Sequence, residues 1–234
     1  MPAFVNLIEG DYHLLPNTEC VDTGNNSYAP TSVDLDGKNR IAGVNVDMGV
    51  YELQVFYVNI NSSNPTPPYT NWATAARNIQ DAANIADVGD LVLVTNGIYS
   101  SGGRLVHGAV TNRVALIKPI TVQSVNGSPN TTIVGDNNGL VRCAYLTNGA
   151  ILTGFTLTNG ILANDGNAIQ ENSGGGAWGE STNAIISNCF FVENFANYSG
   201  GGAYSCTLSN CQLINNSAVS AGGEPMDLWF LLPG

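Results

Sequence analysis

Charge is scarce in this chain. Only 11% of its 234 residues are Asp, Glu, Lys or Arg, and seven basic residues stand against eighteen acidic ones, for a net charge of −11. No basic stripe exists to follow a phosphate backbone, which excludes the usual electrostatic footprint of a nucleic-acid binder. The same surplus of acid disfavours polyanionic ligands unless a cation bridges the two. No apolar run reaches the length of a membrane-spanning helix. No Cys or His spacing resembles a zinc or iron–sulfur site, no G-x-S-x-G elbow surrounds any serine, and the two histidines, His13 and His107, lie far apart with no nucleophile motif near either. Both read as surface histidines. The start of the chain carries no basic-then-apolar leader pattern.

What is abundant is glycine and asparagine, set among short apolar segments. Ile186-Ser187-Asn188-Cys189-Phe190-Phe191 recurs as Leu208-Ser209-Asn210-Cys211-Gln212-Leu213 at an offset of 22 residues, and Asn194 and Gly200-Gly201 recur as Asn216 and Gly222-Gly223 at the same offset. A more degenerate copy, Leu152-Thr153-Gly154-Phe155-Thr156-Leu157, lies upstream. A period in the low twenties, with short strands between Asn- and Gly-rich turns, is the signature of a solenoid. Aligned, the copies give three columns: Leu152/Ile186/Leu208, Phe155/Cys189/Cys211 and Leu157/Phe191/Leu213. One coil cannot bury such a row, whereas coils stacked about 4.8 Å apart bury it against one another. Asn188 and Asn210 are placed to bond each other between coils, and Gly200 to Gly202 to supply corners with φ > 0. Of the five cysteines, Cys189 and Cys211 read as stacked interior thiols rather than a disulfide; Cys20, Cys143 and Cys206 have no assignable partner.

This pattern, over about residues 55 to 223, resembles the right-handed parallel β-helix of the pectin-lyase-like superfamily. The resemblance implies an all-β solenoid and leaves chemistry open, since one fold hosts many activities. Residues 1–54 read differently. Tyr12-His13-Leu14-Leu15-Pro16 through Asp22-Thr23-Gly24-Asn25, then Asp34-Leu35-Asp36-Gly37-Lys38-Asn39-Arg40 and Val46-Asp47-Met48-Gly49-Val50-Tyr51-Glu52, resemble the closing segment of choice-of-anchor type-Q surface proteins. There that segment follows the last coils, so its leading place here implies the tail of one β-helix unit running into the next. Between the two parts, Asn61 to Tyr69 is a Pro-stiffened linker. Asn71 to Val88 is predicted to be a helix, with Ala75, Ile79, Ala82, Ala83 and Ala86 on its apolar face and Asn71 or Thr74 as its cap. It would cover the N-terminal end of the stack. Residues 99–112 and 160–173 read as excursions from the coil edge. The repeat stops at Glu224, where a glycine is due, and residues 224–234 read as a non-repeat apolar tail, a junction or a plug. The open last coil is expected to self-associate.

Three sets of candidate residues follow. Asp34, Asp36 and Asp47 have carboxylate oxygens suited to calcium, or else form an Asx-type turn with Asp36 paired to Arg40. Trp178 and Tyr204 each follow a Gly-Gly-Gly-Ala run and should lie on adjacent coils, either as a platform for a sugar ring or as a stabilising stack. Asp165, Glu171 and Glu180 are near Trp178 in sequence and are the candidate acid/base groups; a glycosidase needs two such carboxylates about 5 to 9.5 Å apart. Lys38, Lys118 and the arginines are the only candidates for a lyase base. The resulting expectation is a piece of a secreted or cell-surface bacterial scaffold or adhesin that contacts a polysaccharide or glycan. The rival is a polysaccharide lyase or glycoside hydrolase working on a coil face near Trp178.

Overall fold

The computed structural model describes residues 4–8, 10–16, 18–136, 140–163, 166–219 and 225–226. From Val55 onward the chain coils, and three sheets run along the stack. The first holds six strands (Val55–Val58, Leu91–Val94, Thr121–Ser124, Ile151–Thr153, Ile185–Ser187 and Thr207–Ser209), every neighbour parallel. The second holds five (Gly97–Tyr99, Thr131–Val134, Thr156–Thr158, Phe190–Val192 and Gln212–Ile214), again all parallel. In the third, Thr111–Leu116, Leu140–Leu146, Ala177–Gly179 and Ala203–Tyr204 pair in parallel. Short strands at Ile161–Leu162, Phe195–Ala196 and Ser217–Val219 continue it. The fold is all-β and solenoid-like.

The columns read from the repeat are the registers observed. Leu152 lies over Ile186 and Ile186 over Leu208, while Leu157, Phe191 and Leu213 stack in the same way. Phe155, Cys189 and Leu152 are fully buried in one continuous core, and all five cysteines are free thiols. The repeat segment is nonetheless not one strand. Gly154, Asn188 and Asn210 sit at φ of 81°, 53° and 51°, a left-handed corner that passes the chain from the first sheet to the second in each coil. At this corner Asn210 Nδ2 donates to Asn188 Oδ1 at 2.6 Å. Replacing Asn188 by valine should cost about 1–2 kcal/mol more than replacing it by glycine, because a β-branched residue is strained in the left-handed region; urea denaturation of the two variants measures the difference.

The glycine run behaves differently from expectation. Of Gly200 to Gly202 only Gly200 has a left-handed φ, 62°. Gly201 is required by proximity, since a Cβ there would lie 2.0 Å from the Ser217 carbonyl oxygen.

The helix is also shorter than its apolar pattern. A 3-10 turn at Trp72–Thr74 is capped by Asn71, whereas the α-helix spans only Ile79–Ile85 and is capped by Asn78. Ala75, Ile79, Ala82, Ala83 and Ala86 are all buried as read. The residues before the helix stay extended because they have another task. Ala76 bonds both Tyr57 and Asn59, and Tyr69 accepts from Tyr57, so this stretch covers the otherwise bare edge of the first strand. The helix itself packs beside the third sheet, where Gln80 bonds the amide and carbonyl of Ala115 in place of a neighbouring strand.

The described residues among 4–54 form no coil. Phe4–Asn6 and Asp11–Leu14 make a short antiparallel pair, and the rest winds as turns held by buried carboxylates. This segment docks on the stack. His13 lies on Gly89, where an added Cβ would be 2.6 Å from the His13 Cβ, and Lys38 pairs with the buried Asp90 at 3.0 Å. At the other end, Pro225–Met226 returns antiparallel to Ala218 and Val219. Glu224 and Leu228 to Leu232 lie outside the described residues.

Candidate functional site

Strand alternation in the third sheet sends Ala144, Leu146 and Ala177 into the core and turns their neighbours outward. The register makes those neighbours a column of Ala115, Tyr145, Trp178 and Tyr204. The two excursions fold over it. From residues 99–112 come Val106 and His107; from residues 160–173 comes Ile169, whose carbonyl accepts from Trp178 Nε1 at 3.0 Å. Tyr145 and Trp178 stack with centroids 5.4 Å apart and planes 8° apart, and His107 presents an edge to each at 5.6 Å.

Trp178 is therefore only 8% exposed and is not an open platform. Its stacking partner is Tyr145 from the preceding coil, while Tyr204 is half-buried at the rim. Sequence alone places neither Tyr145 nor His107 at this column, and His107, expected at the surface, is half-buried against it. Tyr145 lies 33 residues before Trp178 and Tyr204 26 residues after it. Without a fixed period, only the register could align them.

Glu180 is exposed beside this stack and accepts from the Tyr145 hydroxyl and, at 2.6 Å, from Thr147 Oγ1. Partial burial pushes its carboxyl up, but the bonds from Thr147 and Tyr145 outweigh that and hold it below the ordinary range. Burial and the Glu180 carboxylate together push the Tyr145 phenol up. Glu171 accepts from the amides of Ala109 and Asn167 at 2.9 and 3.0 Å, and these bonds hold it low as well. It thereby ties one excursion to the other. Asp165 lies outside the described residues.

The second excursion is anchored from beneath by Arg142, which is 1% exposed. Its guanidinium donates to Gly174 O, Ser173 O, Gln170 O and Asn112 Oδ1 at 2.7–3.0 Å. Burial pulls its pKa down to about 10, so it stays charged at neutral pH.

The acidic residues of the leading segment hold the main chain together. Asp34 accepts from the amides of Asp36, Lys38 and Glu52, and Asp47 from those of Asp22 and Leu53. The Asx-type turn is thus centred on Asp34, Arg40 pairs with Glu52 at 2.8 Å, and Asp36 pairs with His13 at 2.8 Å. With N–H groups aimed at their oxygens, Asp34, Asp36 and Asp47 do not converge on a common point, and the described residues hold no group of three His, Cys, Asp or Glu arranged for a metal.

His13 is no surface histidine either. It bonds Asp11 and Asp36 and stacks on Tyr51 at 3.8 Å. Burial lowers its pKa, but the two carboxylates more than offset this and the net shift is upward from 6.5. A raised folded pKa means its stabilising contribution is complete below about pH 6.5 and disappears as pH rises through the folded value. The stability difference between the wild type and His13→Gln should shrink over that window, read by urea unfolding at a series of pH values.

The residues define an all-β coil stack bearing a covered aromatic column rimmed by two ionised glutamates. No family model and no solved structure matches the chain. A fission yeast (Schizosaccharomyces pombe) protein, the UBP9-binding protein bun62, is 29% identical over 132 residues, which is 54% of this chain and 22% of the yeast protein. No helix among the described residues is long and apolar enough to cross a membrane.

Proposed function

We propose that this chain is part of a secreted or cell-surface parallel β-helix protein, a scaffold or adhesin that contacts carbohydrate along the third sheet at Tyr204, His107 and Glu180. Its coil is right-handed, on the strong preference of parallel crossovers for that hand, and its extended segment and helix cap the first coil, in the manner of the pectin-lyase-like superfamily. The observation that carries binding over turnover is the state of the carboxylates. Glu171 and Glu180 are both held below the ordinary carboxyl range by hydrogen-bond donors. A glycosidase needs one partner held protonated.

The base of a lyase has no better support. Lys38 is paired with Asp90, Lys118 with Asp87 and Arg40 with Glu52, while Arg77 and Arg113 bond main-chain carbonyls, Arg104 the Asn84 side chain, and Arg142 main-chain carbonyls and Asn112. The rival reading, a polysaccharide-active enzyme, keeps one favourable observation: His107 stands edge-on to Tyr145 and Trp178, and Tyr145 in turn donates to Glu180. A panel of immobilised glycans separates the two. Retention without turnover, lost in Tyr204→Ala, is expected; release of reducing or unsaturated sugar ends would favour the enzyme. Retention of a folded protein from solution instead of any glycan would move the reading towards a protein partner, as the yeast relative's name describes for that protein.

The last coil bears on association. Leu208, Cys211 and Leu213 are only partly buried there. Self-association through this end is expected, weakened by Leu213→Lys, and a concentration-independent monomer by light scattering would exclude it.

A further inference from the structure

A second recess lies where the leading segment meets the first sheet, remote from the aromatic column. Phe56 and Val58 face the core, so Val55 and Tyr57 face outward beneath residues 21–54. Between the two parts is a groove of about 310 Å³ lined by Asp22, Asn39, Gln54, Tyr57 and Thr70 among others. That volume is at the lower end of the range of small-molecule sites, about 300–1,000 Å³. The side-chain polar groups of Asn39, Tyr57 and Thr70 make no hydrogen bond to another described residue, and Gln54 Nε2 reaches only main-chain oxygens at 3.4 and 3.5 Å. Asp22 is held against Gly43, where any Cβ would lie 2.0 Å from the carboxylate, and takes a φ of 57°. Trp72, 42% exposed, meets the Tyr57 ring at 4.5 Å and 67°.

We propose that this groove binds a neutral saccharide. Its lining offers donors and acceptors together in two amides and two hydroxyls, while the carboxylates of Asp22 and Asp47 already accept from main-chain amides. A ring of vicinal hydroxyls, each able to donate and accept, is matched by such a mixture. Tyr57 lines the groove with Trp72 packed against it, and an aromatic ring face suits the apolar C–H face of a sugar. The lining contains no Lys, Arg or His and does contain Asp22 and Asp47, so uronates and phosphates find no counter-charge. This inference does not rest on the reading of the third sheet, since it uses none of the same residues.

The test is calorimetric titration of the full chain with neutral cello-, xylo- and malto-oligosaccharides and with oligogalacturonate, alongside Trp72 fluorescence. One neutral series should bind and shift the emission. Asn39→Ala combined with Gln54→Ala should weaken that binding by about tenfold or more, equivalent to about 1.4 kcal/mol, with the thermal midpoint unchanged. Tyr204→Ala should leave it intact, so failure of the third-sheet reading would not register here. In Trp72→Phe the emission change should vanish while the heat of binding remains. No heat from any neutral oligosaccharide, equal binding by the double variant, or equally tight binding of oligogalacturonate would each overturn the proposal.

Discussion

Replacing Arg142 by methionine should lower folding stability by about 4 kcal/mol. Methionine fills much of the volume but leaves the carbonyls of Gln170, Ser173 and Gly174 and the side chain of Asn112 without their donor. Each buried acceptor so orphaned costs about 1–3 kcal/mol, and loss of one member of a buried charged network about 3–5 kcal/mol. Lysine is expected to recover little, because a point ammonium cannot replace a planar fork bonded on several sides. The second excursion is held from below by this one side chain, so the effect reaches the candidate site. Amides of residues 166–173 should lose exchange protection in the Met variant, and the Trp178 emission should move towards that of a solvated indole. Unchanged stability by urea denaturation would show that water replaces the guanidinium.

Replacing Asn194 by leucine should cost about 3 kcal/mol. Asn194 is 1% exposed and joins three coils: Oδ1 accepts from the Gly160 amide, while Nδ2 donates to Leu157 O and to Asn216 Oδ1, each at 2.9 Å. Leucine is similar in size and cannot satisfy any of these groups, so their desolvation is uncompensated. In a stack where each coil touches only its neighbours, the loss should separate the last coils from the rest. The expected signature is a broadened or two-step denaturation curve, with residues 203–219 losing exchange protection first. A single sharp transition at unchanged midpoint would refute it.

The amide ladder shows what could be read beforehand. Asn194/Asn216 and Asn188/Asn210 stood out because the last two coils repeat at a constant offset. The strands of the first sheet from Leu91 onward begin 30, 30, 34 and 22 residues apart. The two excursions lengthen the first and third of these intervals and the second is also longer than 22, so the periodicity is visible only in the last and blurred before it. Tyr145 was lost in the blurred part, and with it the true partner of Trp178. Arg142 was invisible for another reason: three of its four acceptors are main-chain carbonyls, which every sequence contains and none advertises. The apolar pattern runs past the start of the helix because the alanines before it are buried in the same core, and burial alone does not distinguish a helical from an extended stretch. Nor did spacing alone reveal that Asp34 and Asp47 face amide hydrogens.

By itself the sequence determined the architecture: short apolar columns that no single coil can bury, broken by asparagine and glycine corners, have few solutions other than stacking. The tertiary structure decided which side chains are available for function. It covered Trp178, left Tyr204 at the rim, tied Glu171 and Glu180 to donors, and opened the groove beside Tyr57. Burial patterns are local and periodic and so survive in the order of residues, whereas exposure and hydrogen bonding at a surface depend on where excursions of irregular length come to rest.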